Sequence, residues 1–152
     1  MAPLIRMRTR LRTERGAELI EMALVLPLLM LIIMGIIDFG FMFQKLNVVT
    51  NAAREGARAG VLPGYGDPEN VRQRVQQYLD AAGMGITCDS ADCTVVSPVI
   101  SIAAPTGTFN ARDVRVTIFH DFTFLRPFAA FAPSFSSIAL TGRSVMRVEA
   151  GS

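Results

Sequence analysis

Hydrophobic and polar positions divide this chain into an arginine-studded start, one long apolar run, and a remainder in which helical and alternating patterns succeed each other. Met22 to Ile37 carries no charge, and if Asp38 is tolerated near the far boundary the run continues through Gly40-Phe41-Met42-Phe43. That makes roughly 22 residues, 22–43, enough for one bilayer crossing. Gln44 to Gly60 keeps helix formers without a proline, so one helix is expected over 17–60, about 65 Å long at 1.5 Å per residue. Pro27 removes one backbone bond from it and allows a local bend. Beyond the membrane, Ala52, Gly56 and Gly60 recur four apart, with Ala53 and Ala57 in a parallel row. Small residues at that spacing permit close approach of a packing partner, while Gly60, followed by Val61-Leu62-Pro63-Gly64, fits a helix end.

After a turn-rich linker over 61–66, Asp67 and Pro68 form an N-cap and first helical position. Val71, Val75, Tyr78, Leu79 and Ala82 then share one face, and Gly83 stops the helix. Three strand-like stretches follow. Thr94 to Ile102 is the weakest, because Pro98 pushes it to a sheet edge. In the next, Val114, Val116, Ile118, Phe122 and Phe124 alternate with Arg115, Thr117 and Asp121. In the last, Ile138, Leu140, Met146 and Val148 oppose Thr141, Arg143, Arg147 and Glu149. The fold expected is α+β: a long N-terminal transmembrane helix extending into a small domain, with one amphipathic helix packed on a roughly three-stranded antiparallel sheet. Between the last two strands, 125–137 carries Phe128, Phe131 and Phe135. Such a loop is expected to fold back on its own core; exposed, it would mark a partner site or membrane contact.

Composition and charge sharpen the topology. The chain is 51% apolar, and the excess lies in the single run. Its leucines, isoleucines and Val25 favour insertion by about 3 to 6 kcal/mol, more than an acidic residue near the bilayer edge opposes. Arg6, Arg8, Arg10, Arg12 and Arg15 precede the run against Glu14 alone, which places the N-terminus in the cytoplasm and the 61–152 domain outside. Residues 1–16 read as a targeting leader. Cleavage after Gly16 would take Lys+Arg from 15 to 10 and Asp+Glu from 13 to 12, so the formal charge would fall from +2 to −2. Nothing in that balance calls for nucleic acid. The two cysteines, Cys88 and Cys93, lie on the outer side, where a short disulfide loop is expected.

Catalytic chemistry is not legible. There is one histidine, no phosphate-binding loop and no carboxylate pair with an evident role, so neither an enzyme nor a small-molecule substrate is expected. His120 falls on the apolar parity of its strand and reads as a satisfied or rim-exposed side chain. Cys88, Cys93, Asp89 and Asp92 mix soft and hard donors with no second cysteine pair, so no metal or cofactor is expected. Glu21 and Asp38 remain. Glu21 could neutralise an amine created at Gly16, and Asp38 reads as a marker of the outer interface.

The ordered run Arg15-Gly16-Ala17-Glu18-Leu19-Ile20-Glu21-Met22-Ala23-Leu24-Val25-Leu26-Pro27, then Gly35 to Gly40, then Asn51 to Ala59, resembles the TadE-like family, minor pseudopilins of the Tad (tight adherence) branch of type IV pili. The closing Ser144 to Glu149 also looks like the family's last strand. The resemblance implies cleavage between Gly16 and Ala17 by a prepilin peptidase, and a role for Glu21 in seating a subunit by pairing with an N-terminal amine. It implies action in pilus assembly or initiation, with other Tad pilins or pseudopilins and an inner-membrane assembly platform as partners. The location implied is the bacterial inner membrane or the pilus itself. Two positions depart from the pattern: Met22 stands where an aromatic residue is usual, and Glu18 where pilins are apolar. The reading from another class is an uncleaved single-pass protein whose outer domain is a binding module.

Overall fold

The computed structural model describes residues 5–88, 93–105, 107–130, 133 and 136–148, with the side chains of 5–15 excepted. Phe131, Phe135, Asp89, Asp92, Glu149 and the side chains of the five leader arginines lie outside that description. One helix, α1 (Ile5–Gly60), leads into a second, α2 (Pro68–Ala81), and then into strands β1 (Cys93–Val96), β2 (Val99–Ala104), β3 (Gly107–Asp121) and β4 (Ser137–Arg147). A 3-10 turn, Arg126–Ala130, interrupts the β3–β4 connection. The architecture is α+β, with a long apolar helix, a short helix and an antiparallel sheet.

α1 starts at Ile5, ahead of the expected Ala17. The leader from Ile5 to Glu14 holds no proline or glycine, and leucine, methionine and arginine all sustain a helix, so Gly16 alone does not end it. The helix also runs through Pro27. It has two unlike halves. From Ala17 to Ile37 no residue is buried, whereas a buried or half-buried stripe at helical spacing begins at Asp38 and continues through Met42, Leu46, Val49, Ala52, Ala53, Gly56 and Ala57 to Gly60. The expected span of 22–43 therefore overlaps residues that the domain covers. Phe39, Phe41 and Phe43 on the other faces of the helix stay exposed.

The sheet has three rows. β3 is central, with β4 along one edge and β1 and β2 end to end along the other. Cys93 pairs with Ile118 and Ala104 with Gly107, so β1 and β2 keep one register with β3 throughout. The row breaks at Ser97-Pro98 because Pro98 has no N–H to donate. Its carbonyl still accepts from the Asp113 N–H at 3.0 Å. The expected third, proline-weakened strand is thus two strands on one line.

The inner face of the sheet, Val114, Val116 and Ile118 with Leu140, packs on Val49, Ala52, Ala53 and Ala57 of α1 and on Val71, Val75 and Leu79 of α2. α2 begins as its sequence requires: Asp67 is the N-cap, its carboxylate accepting from the Glu69 N–H, with Pro68 next. Gly83 ends the turn at φ +70°, a conformation glycine adopts freely. On the outer face Asp113, 1% exposed, accepts from Arg143 Nε and Nη2 at 2.7 and 2.9 Å and from Arg115 Nη2 at 2.7 Å. These guanidiniums hold its carboxyl below the usual range against the opposing effect of burial, with Arg143 the larger influence.

A pH dependence follows. Asp113 is ionised more readily in the fold than in the unfolded chain, so its contribution is fully present above about pH 4 and declines as pH falls further. Asp113→Asn should destabilise the detergent-solubilised chain by about 2 kcal/mol at neutral pH, since both arginines remain half-exposed to water. Denaturation curves should also lose part of their acid slope below about pH 4. An unchanged slope would remove the role.

Candidate functional site

Two features of α1 carry the functional geometry: its bare half and the point where the domain is fastened to it. Within the bare half, Leu19, Ile20, Met22, Leu24 and Leu28 are strongly exposed. Burying such side chains is worth about 1.5 to 3 kcal/mol each, so water is not their environment. α1 is long and apolar enough to cross a bilayer, and none of its most apolar window is covered by the rest of the chain. Gly16, Ala17 and Glu21 all lie at the N-terminal end of this half. Glu18 and Glu21 line one shallow surface with Met22, Val25 and Leu26.

The fastening is Asp38, whose carboxylate is 1% exposed and accepts three consecutive backbone N–H groups. These come from Thr123 at 3.2 Å, Phe124 at 2.9 Å and Leu125 at 2.7 Å. Three successive amides converging on one carboxylate form an anion nest. Asp38 was expected only to mark the outer interface. It instead ties the β3–β4 connection to the helix, and Phe39 packs edge-on to Phe122 beside it, ring centres 5.9 Å apart.

The helix-packing residues Ala52, Ala53, Gly56 and Ala57 face inward, away from the bare half. A Cβ on Gly56 would stand 2.6 Å from Val75 Cγ2, so the row receives α2 at close range. Gly60 combines both sequence readings. It ends α1, and a Cβ there would meet Val71 and Arg112. Arg112 itself is buried, donating to the Ser97 and Gly66 carbonyls and so joining the linker to the edge row. Gly142 was missed altogether; an isolated glycine inside a strand pattern was the signal for the close approach it makes.

His120 is not at a rim: it is 3% exposed, and its ring packs edge-on against Phe122. Burial, and secondarily Lys45, push its pKa down against the pull of Asp38 and Asp121. Cys88 and Cys93 are joined as a disulfide. It links the segment after α2 to the start of β1, where Gln76 Oε1 accepts from the Cys88 N–H at 2.6 Å.

Residues 16–58 match the family model for TadE-like proteins. Over this stretch the chain is similar to TadE-like proteins. The TadE-like match begins at the N-terminal end of the bare half and stops on the packing row, so the sheet lies beyond it. It supports a component related to the Tad pilus, a structural family, and a membrane association through α1. No curated protein and no solved structure matches the chain.

Proposed function

We propose that this TadE-like chain is a minor pseudopilin acting in assembly or initiation of a Tad-type pilus, held in the inner membrane with its N-terminus in the cytoplasm. The observation that carries the reading is the division of α1. One helix, within the TadE-like match, is bare and apolar over Ala17–Ile37 and becomes the spine of a folded domain from Asp38 on. A bare half of that kind can lie first in lipid and later against neighbouring apolar helices, which is what transfer from membrane to filament requires. Glu21, about one turn beyond Ala17, is placed to meet an amine released by cleavage at Gly16. Gly16 is the first glycine of the chain and sits inside a continuous helix, where glycine is about 1 kcal/mol less favourable than alanine. Local unwinding for a prepilin peptidase is easiest there.

The test is the intact mass and N-terminal sequence of the membrane-extracted chain, with and without a co-expressed prepilin peptidase. A new N-terminus at Ala17 is expected. A chain still beginning at Met1 or Ala2 beside an active peptidase would sink the reading and leave an uncleaved membrane-anchored binding module. Glu21→Ala should insert normally but fail to support piliation.

A further inference from the structure

We propose that Phe124–Ala130 is an interfacial anchor that lies in the outer headgroup layer of the bilayer crossed by α1, seating the sheet domain directly on the membrane. The inference rests on the membrane-crossing reading of α1 and adds to it a second, non-helical contact.

Length fixes the level of the boundary. Ala17 to Ile37 is about 21 residues, or about 31 Å of helix, which matches a hydrocarbon core of about 30 Å. Asp38, the first buried residue of α1, then stands at the outer edge of the hydrocarbon. The segment hydrogen-bonded to it cannot stand clear of the membrane. Leu125 lines an apolar groove that straddles Asp38, with Phe39, Gly40 and Phe43 on the domain side and Leu31, Ile32, Gly35 and Ile36 on the membrane side. At 1.5 Å per residue those four positions lie about 3 to 10 Å below it, the depth at which interfacial segments rest.

The chemistry of the segment agrees with that level. Phe124 is 40% exposed, Pro127 is exposed and Phe128 is half-buried, an apolar patch left open among the described residues. The one charge among 124–130 is Arg126, exposed, whose stem can lie along acyl chains while its guanidinium reaches phosphate. Irregular backbone is tolerated at the edge of a membrane only where its polar groups are satisfied. Asp38 satisfies the N–H groups of Phe124 and Leu125 along with that of Thr123 just before them, and the Phe128 N–H donates to the Leu125 carbonyl at 2.9 Å. The nest in turn shelters a carboxylate that the lipid edge would otherwise disfavour.

The chain contains no tryptophan, so single indoles report depth without background. Phe124→Trp, Leu29→Trp and Val145→Trp, each in the full chain, are reconstituted in phosphatidylcholine vesicles with or without brominated acyl chains, and iodide is added from the water side. Leu29→Trp should be quenched by deep bromines. Phe124→Trp should emit to the blue and lose roughly half its emission to bromines placed shallow on the chain, with little response to iodide. Val145→Trp, on exposed β4, should answer to iodide alone. If Phe124→Trp behaves like Val145→Trp while Leu29→Trp is quenched, the anchor is wrong and the crossing stands. If Leu29→Trp is not quenched, the crossing itself fails and the anchor falls with it. Shielding of Phe124→Trp from iodide without bromine quenching would assign the patch to a second copy of the chain and overturn the proposal.

Discussion

Gly142→Ala is expected to destabilise the sheet domain by about 3 kcal/mol or more, the most disruptive glycine-to-alanine change among the described residues. A Cβ at this position would lie 2.5 Å from the Val49 carbonyl oxygen, 2.6 Å from its carbon and 2.7 Å from the Thr50 Cα. All three obstacles are backbone atoms of α1, and a helix cannot move one carbonyl aside as a side chain changes rotamer. It must lift off β4 by roughly 1 Å, which opens contacts along the row of Val49, Ala52 and Ala53 in a core packed at crystal-like density. The loss would be a large share of the 5 to 15 kcal/mol that holds an ordinary domain together. Denaturation of the detergent-solubilised chain checks this, with two glycines for comparison. Gly56→Ala meets side-chain methyls alone, Val75 Cγ2 at 2.6 Å the nearest, and gains helix propensity, so about 1 kcal/mol is expected. A Cβ on Gly40 meets nothing within 4 Å, and Gly40→Ala should be neutral or slightly stabilising. A Gly142→Ala chain as stable as the Gly40→Ala one would mean that α1 does not rest on β4.

The local patterns of the chain were legible because each is written in neighbouring residues. Asp67-Pro68 opens α2, and Val71, Val75 and Leu79 recur at helical spacing toward the core. Pro98 weakens one edge of the sheet, and Val114, Val116 and Ile118 alternate as a half-buried strand must. The small-residue row of α1 likewise announced a close partner before that partner was known to be α2 and the sheet. Relations between distant residues were not legible. Asp38 is separated by 85 to 87 positions from the amides it accepts, and no periodicity encodes such a pairing. His120 shows the converse. Its parity placed it inward correctly, yet parity cannot tell whether a buried ring finds partners, and here the surroundings are Phe122, Lys45 and Asp38. The same long-range contact buries one face of α1 from Asp38 on, which hydropathy alone does not mark.

Asp38→Ala should release the β3–β4 connection from α1 while leaving the sheet folded. Three N–H groups lose their acceptor at once, and the Leu125 amide, buried beside the helix, has no water to replace it. Hydrogen bonds to a charged acceptor contribute about 1.5 to 3 kcal/mol each, and an orphaned buried donor costs about 1 to 3 kcal/mol. Full additivity is not expected, since the loop can swing outward and hydrate its amides. A loss of about 3 kcal/mol is therefore the expectation, felt as local opening and not as global unfolding. Amide hydrogen exchange separates the two. The Phe124 and Leu125 amides should exchange on the order of a hundredfold faster in Asp38→Ala, whereas Val116 and Ile118 in the central strand should keep their protection. Asp38→Asn retains one carbonyl acceptor and should fall between, because a side-chain amide cannot receive on both arms. Equal loss of protection across β3 would show that Asp38 supports the whole domain, and no change at Phe124 and Leu125 would show that the nest is not formed. The expected pattern describes a sheet whose core is independent of one carboxylate that holds the β3–β4 connection to α1.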